Sequence, residues 1–192
     1  MTDLSPVPAP PAAAAPADVR QRYLAAPTFD AYLGAVEANQ KLWQDAARLA
    51  RVSDADAARA AALPGRYHLL VLSEDWCGDA VNSVPFLARL ADASPGTLDL
   101  RVLGRDANPD LMDAHLTGAS RSIPVAIVYD DAFVERGWWG PRPAPLQAWA
   151  LGPEAQALEK GERYRQIRTW YARDRGRTTL DEVLRLLEAA RP

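Results

Sequence analysis

The only cysteine of the chain, Cys77, stands where its thiol could act as a nucleophile. An apolar run over residues 68–73 precedes it and is typical of a strand buried on both faces. A stretch with helical spacing, residues 78–92, follows it. A cysteine at the start of a helix lies among unpaired backbone N–H groups at the positive end of the helix dipole, and both favour the thiolate. The position predicts thiol chemistry or, as the simpler alternative, a small half-buried residue without chemistry.

Three carboxylates close to Cys77 act against the helix dipole. Glu74, Asp75 and Asp79 lie within three residues of it, and a nearby negative charge disfavours a thiolate. If these side chains point into water, the solvent screens their charges, and the helix dipole has the larger effect on the thiol. For Asp79 we favour a stabilising role in the first helical turn over that of a proton acceptor. A lone cysteine among scattered carboxylates lacks the ligand spacing of a zinc site, so we expect no metal and no bound cofactor.

The elements that must hold Cys77 in place follow from the periodicity of the apolar residues. The strand at 68–73, the helix at 78–92 and a strand at 98–103 form a β-α-β unit, whose parallel strands need the helix as a crossover. Two further strands, 125–129 and 133–138, are predicted to form an antiparallel hairpin. Cys77 is thus expected at the edge of a mixed sheet where the first strand ends.

Helices are predicted on both sides of this core. Before it, residues 28–62 are expected to form one long amphipathic helix from Thr28 to Ala50 and a short one. After it, residues 143–190 are expected to be helical, and Thr179 with Glu182 reads as a capping box at the start of the last helix. The other helices are predicted at 54–62, 108–116, 143–159 and 161–175.

The loop Trp76-Cys77-Gly78-Asp79 resembles the Trp-Cys-Gly-Pro-Cys active-site loop of the thioredoxin superfamily. It is most similar to a bacterial group of thioredoxin-like proteins with Trp-Cys-Gly-Asp at this place. Pro85 lies where thioredoxins commonly kink the following helix, and Ile123-Pro124 opens a strand as the family's cis-proline does. The resemblance covers about residues 66–142. It implies an α/β thioredoxin-like fold, with a central mixed sheet of about four strands flanked by helices and with extra N- and C-terminal helices.

The resemblance implies that Cys77 is the attacking cysteine and that Pro124 lies against its sulfur. By the same resemblance, substrate contacts fall to a set of residues around them: Trp76, Gly78, Asp79, Ile123 and Arg121. For Arg121 we favour a solvated loop arginine; the alternative is a guanidinium near the helix start, where it would offset the acidic neighbours or hold a carboxylate.

Ala80 replaces the resolving cysteine of thioredoxins, so a self-contained dithiol cycle is excluded. The sequence leaves two functions open. One is a monothiol thiol–disulfide oxidoreductase or redox sensor acting on an unknown protein or small-molecule disulfide, with an external low-molecular-weight thiol as co-reductant. The alternative is a non-catalytic interaction module that holds a peptide or a thiol compound in the same groove.

Composition and net charge indicate which partners and which cellular compartment to expect for this domain. The net charge of −3 argues against a general affinity for nucleic acid. No apolar run is long enough to span a membrane, and the N-terminus lacks the pattern of a signal peptide, so we expect a cytoplasmic protein without membrane contact. Residues 1–20 are rich in Pro and Ala and are predicted to be a disordered tail before a single domain at 21–192.

Overall fold

Four strands form one mixed sheet in the computed structural model, which describes residues 15–190. The strands are β1 (Tyr67–Ser73), β2 (Leu98–Gly104), β3 (Val125–Asp130) and β4 (Glu135–Trp139). Their order in the sheet is β2-β1-β3-β4. The β1–β2 pair is parallel, and the β1–β3 and β3–β4 pairs are antiparallel. Every residue of β1 and β3 is buried, because helices cover both faces of the sheet.

Helices precede, connect and follow the strands. They are α1 (Pro16–Ala25), α2 (Phe29–Ala35), α3 (Gln40–Leu49), α4 (Asp54–Ala61), α5 (Gly78–Asp92), α6 (Pro109–Ala114), α7 (Ala144–Leu151), α8 (Pro153–Gln156), α9 (Lys160–Asp174) and α10 (Arg177–Ala189). The crossover between the parallel strands β1 and β2 is α5, as required. The predicted mixed sheet flanked by helices, with further helices at both ends, is confirmed.

The long helix predicted from Thr28 to Ala50 is wrong, because the chain breaks into α2 and α3. Asn39 adopts a left-handed conformation with φ of 55° just before α3. In the break, the backbone N–H groups of Glu37 and Ala38 donate to the carboxylate of Asp75, at 3.0 and 2.8 Å. The break therefore anchors the loop that precedes Cys77.

Two expectations also differ from the structure at the ends of the domain, one on the extent of the tail and one on the continuity of a helix. The first helix begins at Pro16, so the predicted tail boundary at residue 20 is too late, and residues 1–14 lie outside the described part. The helix predicted over 143–159 is interrupted between α7 and α8, where Pro153 has no N–H to continue α7.

The predicted capping box does not form at the start of α10. That helix begins at Arg177, after Gly176 with φ of +76°. The Thr179 hydroxyl is buried without a hydrogen-bond partner within residues 15–190. The Glu182 carboxylate accepts instead from the Trp139 indole N–H at 2.7 Å and from the Ala144 backbone N–H at 2.8 Å. A long-range contact with the end of β4 thus replaces the expected local one.

Gly140 closes β4 against the segment that carries Pro124. Its φ is +137°, and a Cβ at this position would lie 2.1 Å from the Pro124 carbonyl oxygen. No side chain fits there without moving the backbone of one of the two segments.

We expect Gly140→Ala to lower the free energy of unfolding by at least about 2 kcal/mol, through strain and displaced backbone. Urea unfolding of the purified variant measures this. Gly34→Ala is the matched control, since a Cβ there meets no atom within 4 Å, and helix propensity predicts a gain of up to about 1 kcal/mol. Equal stability of Gly140→Ala and the unmodified chain would contradict the close approach.

Candidate binding cleft around Cys77

Cys77 is the N-cap residue of α5, delivered there by a short turn after β1. Its N–H donates to the Glu74 carbonyl at 3.1 Å, and its own carbonyl accepts the first helical bond, from Val81 at 3.1 Å. The side chain is 7% exposed. Its Sγ donates to the Ile123 carbonyl oxygen at 3.4 Å. The thiol thus lies just beyond the C-terminal end of the central strand β1, as predicted, and it is buried.

Burial raises the pKa of the Cys77 thiol above its ordinary value, because the thiolate is the form that loses hydration. The backbone N–H groups of Ala80 and Asp79 and the charge of Arg142 act in the opposite direction without outweighing burial. The carboxylate of Asp79 raises the pKa further. At neutral pH the protonated thiol is therefore the stable form. Loss of hydration has a larger effect on this pKa than the helix start or the neighbouring carboxylate.

Glu74 and Asp75 hold neighbouring loops instead of acting on the sulfur. Asp75 accepts the two backbone N–H groups in the break between α2 and α3, and its carbonyl accepts the Trp43 indole N–H at 2.8 Å. Glu74 accepts the backbone N–H of Asp106 at 3.0 Å. Both carboxylates thereby position the loop at residues 74–77.

Asp79 forms a nearly buried ion pair with Arg142, which follows β4. The Arg142 Nε donates to Oδ1 at 2.9 Å, and a terminal guanidinium nitrogen donates to Oδ2 at 2.5 Å. The Tyr171 hydroxyl of α9 donates to the same carboxylate at 3.0 Å. The two charged side chains are only 12% and 19% exposed. These three residues, the Asp79 cluster, join the first turn of α5 to α9 and to the segment after β4.

Sequence reasoning missed Arg142 and Tyr171. No spacing rule connects residues 79 and 142, and Tyr171 reads as one of the aromatic residues on the buried side of a helix. The one available signal was Asp79 itself, a carboxylate in the position where thioredoxins have proline.

Arg121 lies in this region, and it does not pair with the carboxylates beside Cys77. Its guanidinium is exposed and pairs with both oxygens of Asp113 at 2.6 Å. The cation that pairs with the carboxylate next to Cys77 is Arg142. A role of Arg121 in binding substrate stays a prediction.

A cleft of about 980 Å³ opens above Cys77. It collects most of the residues singled out from the sequence: Trp76, Cys77, Gly78, Asp79, Arg121 and Ile123. Pro124 is buried behind Ile123, and the peptide bond between them is cis. One wall of the cleft comes from α3, and the other comes from the α9 residues Lys160, Tyr164, Ile167 and Arg168. Helices outside the β-α-β core therefore build much of the site.

Trp76 presents a flat aromatic surface at the mouth of the cleft. Its side chain is 49% exposed, and the Arg105 guanidinium lies over the ring, 5.0 Å from its centroid. Arg105 also donates to the Arg121 carbonyl at 3.1 Å. This stacking holds the indole against the loop at residues 120–123.

Residues 26–160 match a family model described as thioredoxin. This chain belongs to the thioredoxin family. Within that family, its buried Ala80 takes the place of the resolving thiol. Among residues 15–190, no group of three or more His, Cys, Asp or Glu residues could hold a metal ion. No helix in that range is long and apolar enough to cross a membrane.

Two solved structures share the thioredoxin-like fold over 93% of this chain and 100% of their own. One is the crystal structure of a protein of unknown function from Pseudomonas aeruginosa, with a TM-score of 0.73 and 22% identity. The other is an HIV epitope scaffold, with a TM-score of 0.70 and 20% identity. At these identities the similarity shows the fold alone. No curated protein gives a significant match.

We expect Asp79→Asn to lower the free energy of unfolding by at least about 2 kcal/mol, because it leaves the Arg142 charge nearly buried without a counter-charge. Urea unfolding measures the loss. The matched control is Asp113→Asn, which breaks the exposed pair with Arg121 and should cost less than about 1 kcal/mol. Equal losses in the two variants would contradict the structural role of the Asp79 cluster.

Proposed function

We propose that this thioredoxin-family protein is a binding module that holds an extended peptide segment in the cleft above Cys77, without disulfide exchange. The observation that carries the proposal is the burial of the Cys77 thiol beneath a cleft of about 980 Å³, which raises the pKa of the thiol. The cleft gives a ligand access to the site, while the raised pKa disfavours the thiolate that attacks disulfides.

The chemistry of the thiol supports the non-catalytic part of the proposal. Thiolate is the attacking species in disulfide exchange, whereas burial and the bond to the Ile123 carbonyl both favour the protonated thiol at Cys77. Ala80 cannot resolve a mixed disulfide. In this proposal the Cys77 side chain lines the bottom of the cleft and takes no part in a reaction.

The cleft walls support a peptide as the ligand. Exposed aromatic side chains, Trp76 and Tyr164, line it from two sides, and such rings supply contact area at little entropic cost. The volume lies at the upper end of the range for pockets that enclose one small molecule, about 300–1,000 Å³. An extended segment that passes between the two walls would use this space.

The second candidate function is monothiol exchange or redox sensing at Cys77. It is favoured by the position of Cys77 at the start of α5, with Sγ against the carbonyl of Ile123 and next to the cis peptide of Pro124. In that reaction a Cys77 thiolate attacks a disulfide sulfur, forms a mixed disulfide and releases one thiolate. The thiolate of an external low-molecular-weight thiol then attacks the substrate sulfur of the mixed disulfide, forms a new disulfide with it and releases Cys77 as the thiolate, which takes up a proton.

The setting proposed for either function is the cytoplasm. A single cysteine fits a reducing compartment, since it cannot form an internal disulfide. We propose no nucleic-acid partner.

Filling the cleft tests the binding function. A Cβ at Gly78 meets no atom within 4 Å, so Gly78→Phe should fold normally and place its ring in the cleft. We expect it to reduce retention of a degenerate pool of seven-residue peptides on the immobilised chain by at least about tenfold. Peptides eluted from the protein are quantified by mass spectrometry.

Two further variants make the result specific. Gly34→Phe, on α2 and equally open, should retain the pool like the unmodified chain. Cys77→Ser should retain it too, because binding does not need the sulfur. Loss of retention in Cys77→Ser under non-reducing conditions would instead favour exchange, and unchanged retention in Gly78→Phe would contradict binding in this cleft.

A further inference from the structure

The charges that line the cleft are unevenly paired. Three arginines each have a carboxylate: Arg142 with Asp79, Arg121 with Asp113 and Arg105 with Asp106. Asp45, on the opposite wall, pairs with Lys41 and Arg48. Lys160 and Arg168 form no ion pair or side-chain hydrogen bond within residues 15–190, although both line the cleft. In a chain of net charge −3, these two side chains leave a local excess of positive charge beside Cys77.

The stability of α9 does not explain Lys160. It is the first residue of the helix, where the helix dipole disfavours a cation and an acidic residue would be stabilising. Glu159 at the N-cap and Glu162 in the first turn already supply the stabilising negative charge, so Lys160, which lines the cleft, is available to an anion bound there.

The spacing of the two cations sets the shape of that anion. Lys160, Tyr164 and Arg168 follow one another at intervals of four, so they share one face of α9. At a rise of 1.5 Å per residue, the two cations are about 12 Å apart along the helix. The ring of Tyr164, 43% exposed, lies between them. A single small anion would not span this distance, whereas a chain with two separated charges would.

An extended peptide matches this pattern. Four residues of extended chain cover about 13 Å, and residues i, i+2 and i+4 point to the same side. Carboxylates at i and i+4 would face Lys160 and Arg168, and the side chain at i+2 would face the ring of Tyr164.

We propose that the cleft selects extended peptide segments with two acidic residues four positions apart and an apolar residue midway between them. This inference rests on the proposed peptide-binding function and names the class of its ligand. The α9 wall supplies charge selection, and Trp76 on the other side contacts the peptide without regard to its charge.

The test measures retention of peptides on the full chain, which is immobilised. Each degenerate peptide pool carries two Glu residues that are two, three, four or five positions apart. Pools with two Gln residues at the same spacings are the neutral controls. We expect the spacing-four Glu pool to be retained at least about tenfold better than its Gln counterpart. Peptides with an apolar residue midway should be enriched within it. Retention should fall as NaCl is raised from about 0.05 to 0.3 M, because salt screens the pairs.

Charge reversal on α9 assigns the effect to the two cations. The double variant Lys160→Glu/Arg168→Glu should lose the preference for the Glu pool, and the double variant Lys160→Gln/Arg168→Gln should reduce it. Arg173→Glu is the control for a single charge reversal on the same helix, outside the lining of this cleft, and should keep the preference; the single variant Arg168→Glu is compared with it and should weaken the preference. Circular dichroism establishes that all variants fold.

The outcomes separate this inference from the proposed function. If the unmodified chain retains the Glu and Gln pools equally, and Gly78→Phe abolishes that retention, the selection of acidic peptides is overturned. The proposed binding function would still stand. A preference for Glu that survives both double variants, or that has no optimum at spacing four, would overturn the assignment to Lys160 and Arg168. Failure to retain any pool would overturn the binding module as well. Retention of a single-stranded oligonucleotide through the same two residues, with no Glu preference, would assign them to phosphate and overturn the proposal.

Discussion

The nearly buried ion pair between Asp79 and Arg142, with the Tyr171 hydroxyl on the same carboxylate, is the constraint on which the rest of the site depends. It ties the first turn of α5 to the segment after β4 and to α9. Breaking such a pair leaves a charge uncompensated away from water, so the three elements are held in one arrangement. Because α9 is fixed in this way, it can serve as a wall of the cleft.

Burial governs the chemistry of Cys77. The start of a helix favours a thiolate only while the sulfur keeps access to water or to other charge-stabilising groups. Here the packed surroundings take the sulfur out of water, and the thiol donates a hydrogen bond to the Ile123 carbonyl oxygen. Desolvation outweighs the helix start, and the pKa of the thiol rises. The fold of a thioredoxin is retained while burial raises the pKa of its thiol, which is the physical basis for the proposed binding function.

Local signals in the sequence were sufficient for much of this account, and long-range contacts explain what they missed. The apolar run before Cys77 and the helical spacing after it predicted β1, α5 and the place of the cysteine, because both patterns reflect burial. The break at Asn39 depends on the Asp75 carboxylate, and the start of α10 depends on Gly176, while Glu182 bonds to β4 instead of to its own helix. Propensity rules do not contain such partners. The Asp79 cluster was missed for the same reason.

The rate of Cys77 alkylation by iodoacetamide as a function of pH tests the central claim most directly. The same chain, unfolded in urea, supplies the reference, with an apparent thiol pKa near the ordinary value of about 8.5. The account predicts slower alkylation and a higher apparent pKa for the folded chain, since burial disfavours the thiolate. A folded-state pKa below that of the unfolded chain, with faster alkylation at neutral pH, would contradict it and return Cys77 to the role of a nucleophile.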